Sequence, residues 1–128
     1  FINNTPSFKN LKDKVQRAST RGYVKGLDGR RILIRHPHAS LNTLLQGAGA
    51  ILMKQGLVLL NNLFKLQNLD AKFVANIHDE WQIEARESIA EHVGQIAVNS
   101  IIKAGEHFNL RCPMDGEYKV GDNWSETH

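Results

Sequence analysis

The apolar residues of this chain change period once, near residue 68, and that change limits the folds open to it. From about Ala39 to Leu66, the positions Leu41, Leu44, Leu45, Ala48, Ile51, Leu52, Leu59, Leu60 and Leu63 recur at helical spacing. Asn68 to Asp70 closes that long central helix. Beyond it, AKFVANI and WQIEAR carry Phe73, Ala75, Ile77 and then Trp81, Ile83, Ala85 in partial alternation, which is the two-residue period of strands. A long helix followed by two adjoining strands predicts an α+β fold, with long helices packed on a small antiparallel sheet.

The flanking segments fit the same class. A turn signal at Asn3-Asn4-Thr5-Pro6 precedes a helix over about Ser7–Ser19, carried by Phe8, Leu11 and Val15. Leu27-Asp28-Gly29 is a turn between Tyr23–Lys25 and Arg31–Arg35, which predicts a β-hairpin. Pro37 prepares the start of the long helix. Within that helix Gly47 and Gly49 each cost about 1 kcal/mol against Ala, so a packing or binding reason is expected for them. A second amphipathic helix is predicted over 87–108, with Ile89, Val93, Ile96, Ala97, Ser100, Ile101 and Ala104 on one face. The tail adds turns at Asp115-Gly116 and Gly121-Asp122-Asn123 and a short strand around Glu117–Val120. With no repeat, low-complexity tract or linker, one compact unit is expected.

Charge is uneven along the chain. Residues 1–64 carry ten Lys/Arg against two Asp/Glu, residues 65–128 six against eleven, within a net charge of +3. Such a pattern suits a protein that grips a polyanion and holds cations, though small domains often carry uneven charge. The most apolar run, AGAILMKQGLVLL, is broken by Lys54 and Gln55 and is too short to span a bilayer, so no membrane partner is expected. One cysteine, Cys112, allows no internal disulfide and fits a cytoplasmic location. No signal peptide is visible, and with Phe as the first residue the natural start is expected upstream.

His78-Asp79-Glu80 sits between the two strands. Asp is common in turns because it tolerates their geometry and bonds its own backbone, and the tripeptide alone fits that reading. Its neighbours, Ile77 and Trp81, suggest partial burial. Adjacent carboxylates there repel each other unless donors or a hard cation such as Mg²⁺ stabilise them.

In this setting the chain resembles the DNA polymerase I family, family A. HDE in a hairpin, preceded by a helix containing NTLLQGAGAILMK, is similar to motif C and the helix before it. GYVKGLDGRRILIRHPHASLNTLLQGAGA resembles the approach to that helix, especially in phage-type replicative members, and RCPMDGEYKVGDNW resembles their last strand and tail. The resemblance implies that residues 1–128 are the C-terminal part of a polymerase domain, part of the palm with the segment following the fingers. It implies template-directed nucleotidyl transfer to a primer, with primer-template DNA and dNTP as partners and two Mg²⁺ ions about 4 Å apart. Asp79 matches the palm aspartate that binds metal, Glu80 its assisting neighbour, and His78 the residue near the primer terminus. Asn42 and Gln46, four apart on one helix face, match residues touching the minor groove, where acceptors common to all base pairs test shape without reading sequence. Members of the family carry Arg four positions before that Asn; this chain has His38, so that contact is not carried over.

Arg30, Arg31 and Arg35 on the basic hairpin are the further candidates for DNA contact. The basic run Lys9 to Arg21 reads equally as a solvated helix face. His36 and His38 read as a solvated loop, His92 and His107 as solvent-facing helix residues, and Trp81 and Trp124 as packing residues. The family's second aspartate (motif A, DYS-like) and its nucleotide-clamping helix (RxxxKxxxFxxxYG) do not occur in the 128 residues. Half of the metal cage is thereby missing, so the isolated chain is expected to hold Mg²⁺ poorly, to be inactive, and to self-associate through a bared palm face. Two rivals remain: a stand-alone DNA-binding remnant without catalysis, and a Mg²⁺-dependent phosphohydrolase or nuclease built on Asp79 and Glu80, the latter disfavoured because no third well-placed carboxylate accompanies them.

Overall fold

The computed structural model describes residues 5–128; Asn3 and Asn4 of the expected first turn lie outside them. The chain divides into two compact units, residues 1–51 and 52–128. The expectation of a single unit is corrected on this point. No linker marks the division because it falls inside a continuous helix, where composition does not change.

The first unit opens with α1 (Pro6–Ser19). Pro stands at its start, where a missing N–H costs nothing, and the Thr5 carbonyl accepts from Phe8 and Lys9 at 3.0 and 3.1 Å. Gly22, at φ +80°, turns the chain into the hairpin β1 (Tyr23–Lys25) and β2 (Arg31–Leu33), registered Tyr23↔Leu33 and Lys25↔Arg31. The tight turn predicted at Asp28-Gly29 is present, with Gly29 at φ +79°. The second strand ends at Leu33, before the expected Arg35. Val15 and Val24 are buried here. A single 3₁₀ turn (Pro37–Ala39) then leads into α2 (Ser40–Leu66), within one residue of the predicted start.

The second unit is built from the last four turns of α2, the hairpin β3 (Ala71–Ile77) and β4 (Glu80–Ala85), and α3 (Ala90–His107), entered by a 3₁₀ turn at Glu87–Ile89. Asn68 at φ +50° ends α2, and the Leu69 N–H returns to the Phe64 carbonyl at 2.9 Å. Asn109 at φ +52° and the Leu110 N–H to Gly105 carbonyl bond, 3.1 Å, end α3 the same way. These are left-handed caps, for which Asn is a good substitute for Gly. Leu60, Phe64, Val93 and Ala97 form the core, with Phe73 and Trp81 packed against it from the hairpin. A short α4 (Trp124–Thr127) follows the tail.

Three expectations change. No strand forms around Glu117–Val120. The tail instead lays its side chains on α3: Cβ atoms at Gly94 and Gly105 would meet Tyr118 and Met114 at 2.2 and 2.5 Å. Tyr118 Oη also donates to Glu91 at 2.8 Å, and that hydrogen bond raises the phenol above its ordinary value. Second, helix 37–66 is long and apolar enough to cross a membrane by length and composition, contrary to the expectation from its short apolar run. A mostly buried core helix passes the same test; here Leu60 and Phe64 are 0% and 5% exposed within the second unit, but 22% of the apolar window is buried. Third, Gly47 has a packing reason, since a Cβ there would lie 2.9 Å from Ile32, whereas among the described residues nothing lies within 4 Å of a Cβ at Gly49.

These surroundings set opposite signs for two glycine substitutions in one helix. Gly49→Ala should stabilise the chain by about 0.5–1 kcal/mol through helix propensity. Gly56→Ala would put a Cβ 2.8 Å from the Trp81 ring and 3.4 Å from the Ser100 carbonyl. Overpacking of about 1–3 kcal/mol exceeds the propensity gain, so it should destabilise. Denaturant unfolding of both variants checks the pair.

Candidate active site on the β3–β4 hairpin

The hairpin tip is shaped by a bulge. Lower down, Ala71 pairs with Ala85 and Phe73 with Ile83; above, Ala75 pairs with Gln82 and Ile77 with Glu80. Val74 is the extra residue. Without it, Ile77 would face Asp79 and leave His78 alone to turn the chain, which is too few residues for a hairpin loop. The bulge shifts the register by one and frees two residues, His78 and Asp79, for the turn. His78 takes φ +54°, a region His visits more often than most residues but at a cost of about 1–2 kcal/mol.

The turn separates the two carboxylates that the sequence places side by side. Asp79 is exposed at the tip, correcting the expectation that both are partly buried, while Glu80 opens β4 and is half-buried. Gln82 Nε2 donates to Glu80 Oε1, and His128 Nδ1 lies 3.1 Å from Glu80 Oε2. The Gln82 hydrogen bond, followed by the His128 ring, outweighs desolvation and holds the Glu80 carboxyl below its ordinary value. His78 is exposed beside Asp79. Among the described residues, no group of three or more His, Cys, Asp or Glu could hold a metal ion.

The remaining candidates belong to the first unit. Asn42 and Gln46 are exposed near the start of α2, and Arg30, Arg31 and Arg35 are exposed as well. Arg30 is committed to Asp28, which accepts from both its backbone N–H, at 3.2 Å, and its guanidinium. Burial would raise the Asp28 carboxyl, but the bonds and charge of Arg30 prevail and lower it. Arg31 stacks on Tyr23, its guanidinium carbon 4.8 Å from the ring centre. Of the aromatic residues, Trp81 packs in the core and Trp124 is half exposed.

Gln82, Thr127 and His128 were not foreseen as site residues. Gln82 could have been: two positions after Glu80, it shares its face of the strand. The contacts from 127 and 128 join residues more than forty positions apart, and no local pattern signals them.

Comparison with known proteins gives a consistent picture. Residues 1–126 match the family model "DNA polymerase family A". The DNA-directed DNA polymerases of Enterobacteria phage T3 and Escherichia phage T7 are 37% and 35% identical over the whole chain, which covers 21% of each. DNA polymerase I of Aquifex aeolicus is 31% identical over 98% of the chain and 22% of its own length. The chain thus spans about a fifth of the length of the curated relatives it matches. Among solved structures, the POL domain of Pol1 from M. smegmatis, in complex with DNA primer-template and dNTP, superposes with a TM-score of 0.71. It is 19% identical, over 80% of this chain and 20% of that one, a likeness of fold.

The left-handed His78 yields a stability test independent of activity. His78→Gly should melt no lower than the unsubstituted chain, because Gly accepts φ +54° without strain. His78→Val should lose about 1–2 kcal/mol. Thermal unfolding of both variants distinguishes a strained turn from a relaxed one.

Proposed function

The chain belongs to DNA polymerase family A, and from that premise we propose that it supplies the motif C hairpin and the adjoining helix of a template-directed DNA polymerase. The observation that carries the reading is the exposed Asp79 at the tip of a bulged hairpin, at the position where the family's motif has its metal-binding aspartate. Primer-template DNA and dNTP are the partners proposed for the complete enzyme, acting in the cytoplasm. The reaction joins the primer 3′-hydroxyl to the nucleotide α-phosphate and releases pyrophosphate.

The donor chemistry at the tip fits a hard cation in part. Among the described residues Asp79 has no side-chain hydrogen-bond partner, whereas both Glu80 oxygens have one. Asp79, assisted by Glu80, would hold Mg²⁺ in the complete enzyme, in a two-ion site whose other ligands lie outside this chain. Bound there, Mg²⁺ supplies charge stabilisation at the phosphoryl oxygens. His78, beside the tip, faces the primer terminus. Asn42 and Gln46 probe the minor groove of the new duplex, and Arg31 and Arg35 meet its phosphates. Arg30, already paired with Asp28, is the weaker contact.

Alone, the chain is inactive in this reading, since one exposed aspartate cannot fix two ions. Its bare apolar side chains, Leu66 at 83% and Val74 at 67% exposure, favour self-association. The excess of Lys/Arg over residues 1–64 favours a second reading, a DNA-binding remnant without catalysis.

Two measurements test the assignment. In the full-length polymerase that carries this chain, Asp79→Asn should reduce primer extension to background while duplex binding stays near normal; undiminished extension overturns it. The isolated 128-residue chain should show no extension, and measurable synthesis by it refutes the claim that essential parts lie elsewhere.

A further inference from the structure

Glu80 has two carboxylate oxygens, and both are held by groups outside the turn. Gln82 occupies Oε1 and His128 Nδ1 lies 3.1 Å from Oε2. The Thr127 hydroxyl shares its one proton between the Trp124 carbonyl, at 3.2 Å, and Gln82 Oε1, at 3.4 Å, so the tail also adjoins the amide that holds Glu80. The tail segment is built to deliver these contacts. Glu126 accepts from the Asp122 N–H at 2.9 Å and from the Asn123 amide at 2.7 Å, which closes the turn that starts α4. Gly121 makes room for it: a Cβ there would lie 2.8 Å from the Glu126 Cβ. The Trp124 ring meets the His128 ring edge-on at 5.9 Å, and the His128 N–H returns to the Trp124 carbonyl at 3.0 Å. Among the described residues, no side-chain hydrogen bond engages Asp79.

We propose that the segment Trp124–His128 is a clamp on the hairpin, with His128 and Thr127 as positioning residues that fix Glu80 and thereby hold the adjacent Asp79 in place. Two neighbouring carboxylates, one in a two-residue turn and the other opening the next strand, repel each other unless one is tied down. Donors on Glu80 neutralise part of that repulsion and anchor the first residue of β4. Asp79 is left as the carboxylate open to a ligand. Glu80 then serves as a strut, and its effect on the reaction depends on residues at the other end of the second unit. The proposal rests on the polymerase reading for what Asp79 holds, but the clamp itself is a property of the unligated chain.

The experiment uses the full-length polymerase with His128→Ala, His128→Gln, Thr127→Val, Glu80→Gln and a combined Glu80→Gln/His128→Ala variant. Two readouts are followed: hydrogen exchange of the 77–82 amides without metal, and primer extension as a function of Mg²⁺ concentration. His128→Ala and Thr127→Val should speed exchange at 77–82. They should also raise the Mg²⁺ concentration for half-maximal extension by about 10-fold, as loss of a ligand's supporting partner does. His128→Gln, which retains a side-chain donor, should restore both readouts. On a Glu80→Gln background, His128→Ala should add nothing further, because the pair acts as a unit. Unchanged exchange at 77–82 overturns the clamp, and so does an equal effect of His128→Ala on either background. Asp79→Asn is assayed alongside. If it still extends primers, the polymerase reading fails while the exchange data still decide the clamp.

Discussion

Phe64 leaves the last turn of α2 and meets Phe73 with ring centres 5.4 Å apart, and Phe73 in turn meets the Trp81 ring edge-on at 6.2 Å. This run of three rings joins the helix to both strands of the hairpin, and the second unit depends on it. Aromatic rings bury large areas with few rotatable bonds, so each contact restrains its backbone strongly. Trp81 reaches further, against Gly56 on α2, in a space that a methyl group would fill. Its Nε1 is buried with no hydrogen-bond partner among the described residues, so packing holds the ring. With Phe73 and Trp81 anchored, the Val74 bulge sets which residues are left to turn the chain.

The site follows from this anchoring by a division of roles. His78 and Asp79 lie beyond the last paired residues and are exposed, whereas Glu80 is the first residue of a strand and is half-buried. Exposure leaves Asp79 hydrated and open. The edge of the sheet brings Glu80 within reach of Gln82 and the tail. Two chemically similar neighbours thereby acquire different environments, which is the usual way a fold assigns separate duties to equivalent groups.

Much of the fold was legible in the sequence because its elements are locally specified. The long helix, both hairpins and the second helix lie within a few residues of the periodicity that predicted them, and Asn68 ends its helix where the change of period said it would. The misses share a cause. Residues 117–120 have a strand-like composition but no strand beside them, and Tyr118 packs onto Gly94 instead. The division at residue 51 lies inside a helix, where local pattern carries no signal of how contacts are distributed. The apolar run AGAILMKQGLVLL, broken by Lys54, understates α2, because the helix as a whole satisfies the length and hydropathy of a membrane span.

The residue types at 78–80, the strands that flank them and the resemblance to family A polymerases were available in the sequence, because each is encoded in a short stretch with its own period or motif. The tertiary structure decided how the two carboxylates differ. Whether Asp79 or Glu80 stays open depends on a bulge at Val74, a ring contact at Trp81 and a tail that returns to Gln82 and Glu80 from residues 127 and 128. Those last contacts join groups far apart in the chain. Hydrogen bonds between such groups form only once the packing of helices and hairpin has brought them within about 3 Å, and a linear pattern has no means to express that distance.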